Sequence, residues 1–493
     1  MGACKVKKYV RREPEKTVLY QAAYDHFESF LAARSYEGRD LPEYVIKEFR
    51  DFLKCGRLEH GLVIVHCADC KHHYPVGLSC KRRGFCSSCG GKRMNETAMH
   101  LMDNVLPHAP YRQYVVTLPP ALRYWVGTSR KLARSVHRIA ISEIDRYYKT
   151  KAKEMYGVLG EPGAISFTQL AGSAINYNYH WHILYLDGVY VDDGGPKLKR
   201  LTELTNADVE KILARVVARV IKLCRRKGLL SEEGEALVQV KQDSLFEDHD
   251  ILAEVMDASI RQKIALGERK GQEVRKIGKS FGHEGEVAVL QGHLCYSQNG
   301  FSIHAATVVD ENDRKKLEQM IRYISRPPVA NHRLGKQPDN TYTYKLKTPW
   351  SNGQITHVKF SGEELIEKLM AIIPTPRAHM SKHCGVFSSH HRLREQIILR
   401  PEIKKGFFLD DETDKPKRVT RNVLFMRTFK LDLTRCPACG GENVRVTKAI
   451  FDAASITRYL QDHLPGYDPP QKLPTQDLAR LLPLEQTYEP CHD

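Results

Sequence analysis

The sequence predicts an α+β fold: a largely antiparallel sheet carrying helices, joined to a zinc-binding module on its N-terminal side and to helical flanks. Three observations predict it. Short apolar runs of strand composition alternate with segments of helical period along the 493 residues. One strand-like run, residues 179–190, carries His180 and His182 on either side of Trp181. Six of the thirteen cysteines crowd between Cys55 and Cys89, among glycines and histidines.

Taken in order, residues 16–54 space their apolar side chains as two helices. From Cys55 to Arg93 the helical period is lost, and residues 94–106 then read as a helix stopped by Pro107. Residues 111–119 have strand composition up to Pro119-Pro120, and a helix follows over 132–156. The segments 164–169 and 179–190, with a short polar link between them, read as a hairpin. Residues 205–227 form an amphipathic helix, and the charged block of about 229–290 reads as an insertion. A strand over 300–309 leads to a helix over 311–325, halted at Pro327-Pro328. Strands over 341–360 and a helix over 362–373 complete this part, and a Pro- and Leu-rich tail runs from Pro465. The expected organisation is a helical region at 1–54, a zinc-binding domain at 55–107, the main domain at 108–400 and a C-terminal region at 401–493.

Lys and Arg number 76 against 59 Asp and Glu, a net charge of +17. Such a surface attracts polyanions by counterion release, although charge alone does not separate nucleic acid from an anionic membrane. No apolar run approaches the roughly 20 residues of a transmembrane helix. The first residues lack the apolar core of a signal peptide, and Val6 breaks the myristoylation pattern after Gly2. The expectation is a soluble cytoplasmic protein without a membrane partner, and clustered thiols in that compartment bind metal more often than they form disulfides.

Cys67-x-x-Cys70 and Cys86-x-x-Cys89 lie fifteen residues apart. Each turn offers two thiolates to one side, and two such turns complete a tetrahedral Zn²⁺ shell. With all ligands supplied by protein, the site is structural. Cys55 and Cys80, with His60 or a neighbouring histidine, could hold a second zinc. Cys436 and Cys439 supply half of another shell, completed by Cys491, His492 or some other residue, or else form a simple tight turn. Arg82, Arg83, Lys92 and Arg93 adjoin the cluster and would line a nucleic-acid-facing edge, or equally a solvated charged loop.

Residues two apart on a strand share a face, so His180 and His182 project together, at a separation suited to one metal ion. A pair of hydrogen-bonded core histidines is the plainer reading for such a motif alone. If the pair holds a divalent ion, a phosphate is its natural electrophile, and a tyrosine held in line with that phosphate becomes a usable nucleophile. Tyr323 is the best placed: it borders the apolar stripe of Leu317, Met320, Ile321 and Ile324. Arg322 and Arg326 flank it and could grip neighbouring phosphates. Tyr342, Tyr344, Lys345, Lys347 and Trp350 could stack unpaired bases and track phosphates, or form an ordinary mixed strand.

The stretches CGRLEHG, CADC, SCKRRGFCSSCGGKRM, GSAINYNYHWHILYLDGVY, GFSIHA, RYISRPP and CPACGG occur in that order over most of residues 50–445. In this combination the chain resembles the rolling-circle transposases of the IS91 and common-region (ISCR) group, within the HUH endonuclease superfamily. The resemblance implies an RRM-like nuclease core and a catalytic Mg²⁺ or Mn²⁺ on His180 and His182. It implies a Tyr323 that forms a 5′-phosphotyrosine with single-stranded DNA at transposon ends, and strand transfer to target DNA. Two-tyrosine relatives space their tyrosines by one helical turn; here that position is Pro327, so the chain resembles the single-tyrosine type. Gln169 on the hairpin partner strand is preferred as third metal ligand over His304. No Walker-type loop is present, so a host helicase would supply unwinding, and the protein would act at the nucleoid in an oligomeric state the sequence leaves open. A relaxase or replication initiator would share the chemistry. A zinc-ribbon regulator would explain the charge and thiols but would leave His180, His182 and Tyr323 without a purpose.

Overall fold

The structure is a computed structural model that describes residues 12–230, 250–278, 292–350, 353–398, 436–441 and 443–464. It is a mixture of helices and antiparallel sheets, as the sequence predicts. The elements run α1 (Val18–Tyr36), α2 (Glu43–Lys54), β1 (Leu62–Cys67), β2 (His73–Gly77), α3 (Ser87–Asn104), β3 (Tyr111–Thr117), α4 (Pro120–Thr128) and α5 (Arg130–Tyr156). They continue with β4 (Gly163–Ala171), β5 (Tyr177–Leu186), β6 (Val189–Asp192), β7 (Pro196–Lys199), α6 (Asn206–Arg226), α7 (Asp250–Ile260), β8 (Arg275–Gly278), β9 (Cys295–Gln298), β10 (Phe301–Val309) and α8 (Arg314–Ile324). The remainder is β11 (Leu334–Lys336), β12 (Tyr342–Trp350), β13 (Ile355–Phe360), α9 (Gly362–Ala371), β14 (Ser381–Gly385), α10 (Arg394–Ile397), β15 (Val444–Ile450) and α11 (Ala453–His463).

The central sheet has six strands in the order β14-β4-β5-β3-β10-β9, with every neighbouring pair antiparallel. Alternation along the strands sends two sets of side chains to opposite faces. Tyr114, Val116, Trp181, Ile183 and Tyr185 pack against α4, α5 and α6 in one core. The other face packs Ile165, Phe167, Leu184 and Leu186 against α3 and α8. Fully burying such side chains contributes about 1.5–3 kcal/mol each, so this two-sided sandwich makes the sheet a rigid platform.

Local chemistry sets the helix limits. Ser129 accepts from the Leu132 N–H to start α5, and Gly157 ends it in the left-handed region at φ 69°. Asp313 accepts from the Lys316 N–H to start α8. Thr205 with Asp208 and Ser361 with Glu364 make capping boxes at α6 and α9.

Several differences from the sequence reading matter for the site. Helix α3 begins at Ser87, so Cys86 is its N-cap and the second Cys-x-x-Cys turn forms the helix start rather than a free loop. Residues 120–128 form the separate helix α4, because Pro120 at the first turn lacks only an N–H that no helix needs there. The described part of the block at 229–290 supplies α7, which packs Ile251, Val255 and Met256 into the core shared with α1, α2 and α9. It also supplies β8, the outer strand of a second sheet ordered β11-β12-β13-β8. The tail from Pro465 lies outside the described residues. Near the N-terminus a third sheet, ordered β15-β1-β2, pairs a strand from beyond position 440 with the cysteine-bearing hairpin.

Candidate functional site

The hairpin β1–β2 divides the thiols into two groups of four. At its base, Cys55, Cys80, Cys86 and Cys89 converge, with sulfur separations of 3.5–3.7 Å for the closest pairs. At its tip, Cys67 and Cys70 meet Cys436 and Cys439, at 3.7 Å between Cys67 and Cys439 and 3.6 Å between Cys70 and Cys436. Thiolates about 2.3 Å from a tetrahedral ion stand roughly 3.8 Å apart, whereas a disulfide would bring sulfurs to about 2.05 Å. Both groups therefore fit structural Zn²⁺.

The expected shell of Cys67, Cys70, Cys86 and Cys89 is corrected by this geometry. Strand β1 separates the two knuckles by its own six-residue length, on the order of 20 Å. Cys55 and Cys80 complete the base site and CPACGG completes the tip site. His60 belongs to neither group; burial, with Arg57 and Lys54 nearby, lowers its pKa to about 4. Spacing alone favoured pairing the two Cys-x-x-Cys turns, because only the hairpin reveals that its tip and base are far apart.

The base site sits in the core shared with α1 and α2. Cys86 and Cys89 stand at the N-terminus of α3, where the helix dipole favours their negative charge. Gly90 follows, and a β-carbon there would come within 2.6 Å of Pro327 Cβ. Further along, Arg314 of α8 donates to the carbonyls of Met102, Leu106 and Pro107 at the end of α3. The zinc-stapled helix thus braces the helix that carries Tyr323 at both ends.

Beside that brace is a cleft of about 940 Å³ whose floor is the sheet face bearing the histidines. In the register, His180 pairs with Gln169 of β4 and Thr117 of β3, and His182 pairs with Phe167 and Val115. Cross-strand partners share a face, so His180, His182 and Gln169 lie side by side, with Trp181 buried behind. The two imidazole centroids are 5.1 Å apart. His304 is the partner of Val115 and so lies two strands from His182, about 9.6 Å at the usual strand spacing. Among the described residues, no third His, Cys, Asp or Glu gathers with the pair. The amide of Gln169 is the nearest donor on the neighbouring strand.

Both histidines are buried and held neutral. Burial lowers His180 to about 4, with Arg123 and Arg326 adding to the effect against the Asn178 carbonyl. Burial, then His180, Arg326 and Lys347, lower His182 as well. His180 donates from Nδ1 to the Asn178 carbonyl at 2.7 Å, which leaves the Nε2 lone pair free. Gln113 Nε2 donates to His182 Nδ1 at 2.7 Å, which places the ring proton on Nε2; a half-turn of that amide would present its oxygen instead and leave the His182 Nε2 lone pair open to the cleft. Asn178 Oδ1, which lines the cleft, is buried without a partner. Neutral imidazoles beside an unused oxygen acceptor form a donor set that could hold a divalent cation.

Tyr323 stands over this floor. Its ring centroid is 6.1 Å from that of His182, edge to face, and its side chain is partly exposed in the cleft. Gln169 Nε2 donates to the Ile324 carbonyl at 2.6 Å, which ties the tyrosine helix to the histidine face. Lys347 Nζ donates to the Tyr323 hydroxyl at 2.5 Å and lies 4.3 Å from the ring centroid. The Arg326 guanidinium lies 4.5 Å from the same centroid. Burial pushes the phenol up, but the Lys347 hydrogen bond and the charges of Arg326 and Lys347 outweigh it, so its pKa falls below the usual value. Lys347→Met should remove that help and move the Tyr323 titration to higher pH in an NMR titration of the labelled ring, whereas an unmoved titration would mean that Lys347 only packs.

The basic residues separate into two sets. Arg83, Arg93 and Arg326 line the cleft, the first two presented by the zinc module. Arg82 is bound to Asp51, Lys92 lies 3.6 Å from Glu96, and Arg322 bonds Glu318 at 2.6 Å, all outside the cleft lining. Lys347 joins the lining from the second sheet, and Arg333 from the short turn that precedes β11. Alternation along 342–350 signals that Lys345 and Lys347 share a face, but only the docking of that sheet places Lys347 on the tyrosine.

Comparison with known families meets this geometry. Residues 163–395 match a family model described as "Putative transposase", and residues 22–118 match one described as "Transposase zinc-binding domain", of IS91 type. Among curated proteins and solved structures there is no match. The chain is thus a DNA transposase with an integral zinc module. It belongs to the IS91-type transposases of insertion sequences. Among the described residues, no helix is long and apolar enough to cross a membrane.

Proposed function

We propose that this transposase cuts and rejoins single-stranded DNA at the ends of its element through Tyr323. The observation that carries the reading is the Tyr323 ring set edge-on to His182 above an oriented pair of neutral imidazoles. His180, His182 and Gln169 would hold a Mg²⁺ or Mn²⁺ ion. When bound, that ion polarises the scissile phosphate and stabilises the leaving oxygen. Lys347 stabilises Tyr323 as a phenolate, its proton passing to solvent. The phenolate oxygen bonds to phosphorus, the bond from phosphorus to the 3′ oxygen breaks, and that oxygen takes a proton from water. The products are a 5′-phosphotyrosine and a free 3′-OH. Attack by a 3′-OH on the phosphotyrosine reverses the step and joins strands, so a single tyrosine serves both directions. Arg83, Arg93 and Arg326 grip flanking phosphates, and a host helicase opens the duplex at the nucleoid.

The test is a labelled single-stranded oligonucleotide carrying an element end, incubated with Mg²⁺ or Mn²⁺ and run on a denaturing gel. Wild-type protein gives a metal-dependent covalent band. The His180→Ala/His182→Ala protein loses it while still binding the oligonucleotide. A band that survives in the double variant would remove the histidines from the chemistry.

A further inference from the structure

We infer that a DNA strand seated in the cleft continues round the edge of the central sheet onto a second phosphate-binding track made by Arg134, Arg138, Arg377 and Lys382. The inference rests on the reading of the cleft as a single-strand site and extends it. A small cavity of about 90 Å³ lies against Thr168, Tyr177 and Tyr179, with Arg134, Arg377 and Lys382 in its lining. Tyr179 and Thr168 belong to the sheet face opposite the histidines, since Thr168 pairs with Trp181. The cavity and the cleft share Thr168, Leu170, Pro374, His379 and Met380. Pro374, His379 and Met380 lead into β14, the outermost strand of the sheet, beside Thr168 and Leu170 of β4, and the Thr168 N–H donates to the Met380 carbonyl at 2.8 Å. Passing from one hollow to the other means turning round that edge.

Among the described residues, the charges on the far side are concentrated and carry no carboxylate partner. Arg134 and Arg138 are both exposed, four residues and so about 6 Å apart along α5, on one face of the helix. Lys382 of β14 lines the cavity with Arg134; burial holds its ammonium below the usual range, with Cys384 opposing and the charges of Arg134 and Arg138 adding to the fall. Arg377 keeps a left-handed backbone, φ 60°, that side chains other than glycine rarely adopt. Among the described residues, none of the four forms an ion pair with a carboxylate, unlike Arg82, Lys92 and Arg322. Like charges gathered without counterions repel, and the group gains most from a polyanion that spans it. Continuity with the cleft makes that polyanion the substrate strand itself.

Fluorescence anisotropy over a salt series tests the track. One labelled single-stranded oligonucleotide is just long enough to fill the cleft, and two others extend it by several nucleotides on the 5′ or the 3′ side. The variant is Arg134→Gln/Arg138→Gln/Lys382→Gln, which keeps the side-chain stems. With one of the two extensions, the slope of log affinity against log salt should flatten by about 2, three lost contacts at roughly 0.7 each for a single strand. The short oligonucleotide should keep its slope. An unchanged slope with both extensions, or an equal loss on the short oligonucleotide, would overturn the track. Covalent adduct on the short oligonucleotide is scored in parallel, so failure of the cleft chemistry is seen separately from failure of the track.

Discussion

Tyr323→Phe should abolish the covalent DNA adduct and lower cleavage by about four orders of magnitude or more, the scale seen when a nucleophile that acts as part of a unit is removed. Binding of single-stranded DNA should change little. The phenyl ring keeps its edge-to-face contact with His182 and its place under Arg326 and Lys347. Only the hydroxyl that Lys347 contacts is lost. The substitution therefore separates chemistry from packing, which a change to Ala would not. A gel that shows undiminished adduct in Tyr323→Phe would assign the nucleophile elsewhere. A loss of binding equal to the loss of cleavage would make Tyr323 a packing residue.

Cys86→Ser should also cost much of the activity, for a different reason. Cys86 is at once a zinc ligand and the N-cap of α3, and Gly90 one turn on sits against Pro327. Structural zinc sites contribute on the order of 10 kcal/mol or more to the folding of their modules, so a broken shell releases the start of α3. With it goes the brace on α8, and Tyr323 loses its position over His182. Zinc content should fall from two ions to one per chain, limited proteolysis should open the chain near residues 80–93, and adduct formation should drop at least about 100-fold, as misplacement of a reacting group does. Cys439→Ser provides the contrast. It should also cost one zinc, but at the hairpin tip, with cleavage reduced only modestly. Equal losses of activity in the two variants would contradict the coupling of the base site to the tyrosine helix.

How much of this the sequence disclosed depends on the range over which each feature is determined. The histidine pair was legible because a strand's two-residue period is local, and the tyrosine because Leu317, Met320, Ile321 and Ile324 draw the buried stripe beside it. Pro107 and Pro327-Pro328 marked helix ends for an equally local reason. The zinc partners were not legible. Cys436 and Cys439 meet Cys67 and Cys70 across more than 360 residues, a closure that only the pairing of β15 with β1 explains. Lys347 was visible as a strand lysine, but its contact with Tyr323 depends on how the second sheet docks on the first. The flanking arginines show the same limit. Arg83 and Arg82 are neighbours in the chain, yet one lines the cleft and the other is neutralised by Asp51.

The most direct test of the central claim is to map the covalent junction. Wild-type protein is allowed to react with a single-stranded element end and Mg²⁺, digested with protease and nuclease, and the nucleotide-bearing peptide sequenced by mass spectrometry. One modified peptide is expected, the tryptic fragment of residues 323–333, with a 5′-linked nucleotide on Tyr323. A nucleotide on any other residue, or cleaved DNA with no protein-linked product, would contradict it.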